Sequence, residues 1–68
     1  MKDIRKLYGE RLKACRKKKG LSQEELGFKS SLHRTYISEV ERGRRNISIV
    51  NIARIAKALG LKIKEFFE

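Results

Sequence analysis

Apolar and polar positions along this chain recur with the spacing of short amphipathic helices, and residues that stop helices fall between them. Over residues 49–59, a turn of about 100° per position gathers Ile49, Ile52, Ala53, Ile55, Ala56 and Leu59 into one arc, with Asn51, Arg54 and Lys57 opposite. That pattern predicts a helix with a core-facing stripe, capped by Ser48 and stopped by Gly60. Residues 3–19 predict a first helix in which Ile4, Leu7, Tyr8 and Cys15 share a face, with Arg11 inside it as a side chain that snorkels outward. Its last turn, Arg16-Lys17-Lys18-Lys19, suits the negative end of a helix dipole, and Gly20 closes it.

The stretch "LSQEEL" is a capping signal. Ser22 can accept from the first turn while Glu25 reaches back to the Ser22 amide, which predicts a second helix over residues 23–29. Ser30, Ser31 and Leu32 break the pattern, and a third helix follows over residues 33–42, ended by Gly43. Residues 44–47 read as a loop and residues 63–67 as a last short helix. Phe66 and Phe67 are adjacent, so one can face the chain's own core while the other is left for a subunit interface. The expected fold class is all-α, a compact bundle of five short helices with a central helix-turn-helix, in one domain over residues 1–68.

The third helix differs from an ordinary solvated helix. Tyr36, Val40, His33 and Ile37 occupy one side of its wheel, with Glu41 at the edge beside Ile37. Arg34, Thr35, Ser38, Glu39 and Arg42 occupy the other. A solvated face usually carries Glu and Lys in pairs spaced by four. Arginine, two hydroxyls and a carboxylate instead match the donors and acceptors of base edges: Arg for guanine, Thr for a thymine methyl or polar edge, Glu for the cytosine amino group. Two short helices joined by a tight turn form the unit whose second helix enters the major groove. Gln23 would then stand at the exposed start of the first of these helices, facing the DNA backbone along with the free amides there.

Composition sharpens this. Eighteen Lys and Arg against eight Asp and Glu leave a formal net charge of +10 on 68 residues. Solubility alone asks for a magnitude of about 2 to 8, so an anionic partner is expected, nucleic acid before an acidic membrane surface. Cys15 is the only cysteine and His33 the only histidine, which excludes an intramolecular disulfide and leaves no metal cluster. No cofactor, metal or small-molecule ligand is expected. No nucleophile–base pair or glycine-rich phosphate loop suggests an enzyme. A single thiol and no apolar segment of membrane-spanning length predict a cytoplasmic protein. A small domain without disulfide or metal has oligomerisation left as a source of burial, which favours a homodimer.

The motifs "GLSQEEL", "RTYISEVERGRR" and "IARIAKALGL" resemble the lambda-repressor-like helix-turn-helix family, which includes phage Cro and repressor domains. The likeness runs from about Tyr8 to Phe67, and "RTYISEVERGRRNIS" is similar to the controller proteins of restriction–modification systems. The resemblance implies a homodimer on a pseudopalindromic operator, regulating its own and a neighbouring restriction–modification gene. It implies base reading by Arg34, Thr35, Ser38 and Glu39, and backbone contact by Gln23, Arg44, Arg45 and Asn46; Ser22 is a further expected phosphate contact, and Tyr36 is expected to pack at the helix boundary with its hydroxyl toward a phosphate. It also implies an internal brace between Arg16 and Glu41. Ile47, Val50 and one of Phe66 and Phe67 are the expected dimer contacts, and RNA polymerase is a further partner if the protein activates transcription.

Three positions depart from the family pattern. Ser31 stands where glycine is usual, at about 1 kcal/mol for a left-handed backbone. Gly27 replaces alanine, at about 1 kcal/mol in helix propensity. His33 stands where a stronger capping residue is usual. The alternative functions are an antitoxin-like interaction module that autoregulates its promoter and a cationic membrane-binding peptide. The first wants extra chain to wrap a toxin, and the second wants a long amphipathic helix with anchors along it.

Overall fold

The computed structural model describes residues 3–68. Its elements are α1 (Ile4–Lys18), α2 (Gln23–Ser30), α3 (Arg34–Glu41), α4 (Ile49–Leu59) and a 3₁₀ turn (Ile63–Phe66), with no strand among the described residues. The fifth expected helix is therefore a single 3₁₀ turn. Its bonds span three residues, Glu65 N–H to the Lys62 carbonyl and Phe67 N–H to the Lys64 carbonyl, each at 3.0 Å.

Capping sets the helix boundaries. Asp3, Ser22, His33 and Ser48 each accept a backbone N–H from the first turn of the helix that follows. Ser22 and Glu25 form the full reciprocal capping box, at 3.0 and 2.9 Å. His33 caps through Nδ1, which accepts from Thr35 N–H at 3.1 Å, so α3 begins at Arg34. At their other ends, all four helices close with an N–H bonding back five residues, through Leu21, Leu32, Arg44 and Leu61. The residue before each of these has positive φ; three are glycines, and Ser31, at φ 60, is the exception.

The core is built from Tyr8 and Leu12 of α1, Leu26 of α2, Ile37 and Val40 of α3, Ile55, Ala56 and Leu59 of α4, and Phe66. α2 packs against α3 and α4, while α1 packs against α3 and the 3₁₀ turn. Gly9 and Leu12, neither of them among the residues expected on the core face of α1, are central to this. A β-carbon on Gly9 would meet the Val40 carbonyl and stand 2.6 Å from that of Glu41, so the glycine lets α1 press on the end of α3. Cys15 is half-buried against the core.

Two expectations about the helix faces are corrected. Ile49 and Ala53 do not face the core: Ile49 is 68% exposed and Ala53 is exposed. All three buried residues of α4, Ile55, Ala56 and Leu59, lie in its second half, with Ile52 half-buried against the core and Ile49 outside it. Ile4, placed on the core side of α1, is likewise 60% exposed.

Candidate nucleic-acid interface

α3 is fixed from behind by a buried ion pair. Arg16 Nε donates to Glu41 Oε2 at 2.7 Å and Arg16 Nη2 to Oε1 at 3.1 Å. Both side chains are more than nine-tenths buried. Arg16 Nη1 also donates to the Leu21 carbonyl at 2.8 Å, and Gln23 Nε2 donates to Glu41 Oε1 at 3.0 Å. One carboxylate thus links the end of α1, the start of α2 and the end of α3. The fork geometry and the number of donors meet the requirement for burying charge, namely that each charged atom keeps partners.

In front of this brace lies an open groove of about 210 Å³ lined by Gln23, Arg34, Thr35 and Ser38. Arg34 and Thr35 are exposed at the first turn of α3, and Ser38 is half-buried one turn later. Gln23 stands at the first turn of α2, with its amide nitrogen bonded inward to Glu41. The groove therefore brings together three of the expected base readers and one expected backbone contact. It offers a guanidinium, two hydroxyls and a carboxamide. Ser22 is exposed beside it; its oxygen accepts within the capping box, and its hydroxyl hydrogen is not used there.

Glu39 does not line that groove. Its Oε1 accepts from Arg45 Nε at 2.8 Å. Arg45 also lies over the Tyr36 ring, 5.3 Å from the centroid, and the Tyr36 hydroxyl accepts from Asn51 Nδ2 at 3.1 Å. Asn51, placed on the polar face of α4, is half-buried by that bond. Arg44 is exposed, and its backbone N–H closes α3 on the Glu39 carbonyl at 3.0 Å.

Asn46 lies elsewhere. It lines a hollow of about 180 Å³ with Ile4, Arg5, Tyr8, Ile47, Ile52 and Phe67, and shares no lining residue with the groove at the start of α3. Ile47 is half-buried there, Val50 is 58% exposed at the start of α4, and Phe67 is 47% exposed and stacks on Tyr8 at 5.8 Å. Phe66 is fully buried, with its ring edge-on to Tyr8 at 5.2 Å. Of the two phenylalanines, Phe66 is thereby removed as a dimer contact and Phe67 is the one available. No group of His, Cys, Asp and Glu among the described residues is arranged to hold a metal, and no described helix is long and apolar enough to cross a membrane.

The sequence profile of the helix-turn-helix family matches residues 12–66. The control protein C.BamHI of Bacillus amyloliquefaciens is 48% identical over 67 residues, covering 97% of this chain and 83% of that protein. The control protein C.MunI of a Mycoplasma species is 44% identical over 68 residues, covering 98% and 92%. Among solved structures, the restriction-modification controller protein C.AhdI of Aeromonas hydrophila superposes with a TM-score of 0.92 at 48% identity, covering 94% of this chain and 97% of that one. With α2, the Ser31 turn and α3 in the order and spacing described, and relatives of this identity along nearly the whole chain, the protein belongs to the helix-turn-helix family of DNA-binding transcriptional regulators, which are not enzymes.

Proposed function

We propose that the protein is a homodimeric controller of a restriction–modification system, binding a pseudopalindromic operator through α3. The observation that carries this is the groove at the start of α3, where Arg34, Thr35 and Ser38 converge beside Gln23 on a helix anchored from behind by Arg16 and Glu41. Those side chains match base-edge chemistry, and the net charge of +10 supplies the attraction to phosphate. Ser22, Gln23, Tyr36, Arg44 and Arg45 flank the groove as backbone contacts. Asn46, which lies in the hollow with Phe67, is assigned to the subunit interface instead.

Residues 1–68 act as one DNA-binding domain in the cytoplasm. Two copies meet over the hollow lined by Ile47 and Phe67, with the exposed Val50 as a further contact, and place their α3 helices about 34 Å apart in successive major grooves. The named controllers among its relatives support its own gene and an adjacent restriction–modification gene as targets, with RNA polymerase as a partner where occupancy activates. Sedimentation with and without an operator duplex tests the assembly. A dimer at micromolar concentration, with two subunits per operator, is expected; a monomer under those conditions contradicts it.

A further inference from the structure

Glu39 faces outward on α3, yet its carboxylate is committed within the chain. Arg45, from the loop after α3, donates its Nε to Glu39 Oε1 at 2.8 Å. The same guanidinium lies over the Tyr36 ring at 5.3 Å, and Tyr36 is in turn held by Asn51 of α4 through a 3.1 Å hydrogen bond. One loop arginine is therefore gripped at its edge by a carboxylate and under its face by an aromatic ring that is itself anchored. Neither grip uses the two terminal nitrogens, the part of the guanidinium fork that suits phosphate oxygens.

We propose that Glu39 is a positioning residue for Arg45 rather than a reader of base edges, holding the loop arginine ready for a DNA phosphate. The inference rests on α3 being the DNA-facing helix. An arginine free in a loop loses rotamer freedom when it docks on a ligand; one already held loses less. Charge points the same way. A bare carboxylate here would face a polyanion and repel it, whereas Glu39 bonded to Arg45 has its charge offset.

The pair is partly exposed, Arg45 at 51% and Glu39 at 36%, so the expected effect is modest in size and distinctive in sign. Affinity for a duplex selected from random sequence is measured for the wild type, Glu39→Ala, Arg45→Ala and the double variant, with melting curves confirming that each is folded. With Arg45 present, Glu39→Ala weakens binding by about two- to fivefold. With Arg45→Ala, the same change no longer weakens binding, because it removes only a repulsive charge. Glu39→Gln, which keeps an acceptor for Arg45 Nε, recovers part of the affinity. An equal factor in both backgrounds, together with loss of discrimination at one base pair, makes Glu39 a base reader and overturns the proposal.

The free protein supplies an arm independent of DNA. The Arg45 Nε–H resonance is expected to stand apart and exchange slowly with water in the wild type, and to collapse toward the other arginines in Glu39→Ala. A resonance unaffected by that substitution overturns the positioning role whatever the protein binds. A resonance that does collapse, in a protein whose operator affinity is untouched by Arg45→Ala, overturns the phosphate role of Arg45 alone.

Discussion

Gly27 and Leu32 meet across the turn between α2 and α3 with no room for a methyl group between them. A β-carbon on Gly27 would stand 2.6 Å from the Leu32 carbonyl oxygen and 3.2 Å from the Arg34 amide nitrogen. The Leu32 N–H donates back to the Gly27 carbonyl at 2.9 Å, so the obstacle is backbone held by its own hydrogen bond. Helix propensity alone makes Gly27→Ala stabilising by about 1 kcal/mol. The close approach reverses the sign, and a loss of about 1–3 kcal/mol is expected. Ser31→Gly, four residues on, relieves a left-handed serine at φ 60 and is expected to stabilise by about 1 kcal/mol. Urea unfolding of the two variants checks both; a raised midpoint for Gly27→Ala contradicts the packing described.

The buried pair of Arg16 and Glu41 is expected to be intolerant of losing one member. Either Arg16→Ala or Glu41→Ala leaves an uncompensated charge in a site more than nine-tenths buried, at about 3–5 kcal/mol. For a domain of this size that approaches the whole folding free energy. Replacing both by apolar residues of similar volume, Arg16→Met with Glu41→Leu, is expected to melt closer to wild type than either alanine variant. A double variant as unstable as the singles combined contradicts the account, because it would mean that the partners do not share one cost.

Tyr8 carries the opposite situation. Its ring is packed between Phe66 and Phe67, while its hydroxyl is buried without a hydrogen-bond partner among the described residues. Burial pushes the phenol well above its usual range, so it stays neutral and unpaired. Tyr8→Phe keeps the ring contacts and is expected to stabilise by about 1 kcal/mol. A rise of several degrees in Tm is the expected reading, and a fall shows that the hydroxyl has a partner in the assembled protein.

The cap of α1 has a pH signature. Asp3 accepts from the Arg5 backbone N–H at 2.8 Å and pairs with its guanidinium at 2.7 Å. The Arg5 side chain first, and its backbone N–H second, hold the Asp3 carboxyl down from 3.8 to about 2. A folded value below the unfolded one means that the stabilisation is complete above the ordinary carboxylate range and is lost as pH falls through about 2. Glu25 moves in the same direction, through the Ser22 amide it accepts from. A carboxyl titration followed by NMR should place the Asp3 midpoint near 2; a midpoint at 3.8 means that the pair with Arg5 does not hold in solution.

Much of this was legible in the sequence because helix ends are written in local chemistry. Ser22 with Glu25, Ser48, Gly20, Gly43 and Gly60 each act on neighbours within five residues, and each does in the structure what its type predicts. The outer face of α3 was readable for the same reason, since Arg34, Thr35 and Ser38 share one side by periodicity. What escaped depends on contacts between elements. Gly9 is buried by the way α1 crosses α3, and no spacing within α1 announces that crossing, whereas Leu12, four residues after Tyr8 and three before Cys15, was legible in the periodicity. Ile49 looks like core by periodicity but lies on the first turn of α4, outside the buried half. Glu39 and Arg45 are six residues apart with a helix end between them, a separation that no helical rule pairs. An acidic residue on a reading face with an arginine in the loop just beyond it was the signal that could have suggested their meeting.

Base reading by the start of α3 is the centre of the account, and one comparison tests it most directly. Arg34→Ala and Arg45→Ala are each titrated against a selected operator duplex and a scrambled duplex over a range of salt. Arg34→Ala is expected to remove about 1–3 kcal/mol of discrimination between the two duplexes, while Arg45→Ala weakens both alike and lowers the salt slope by about one unit. Equal weakening of both duplexes by Arg34→Ala would mean that the α3 groove grips DNA without reading it.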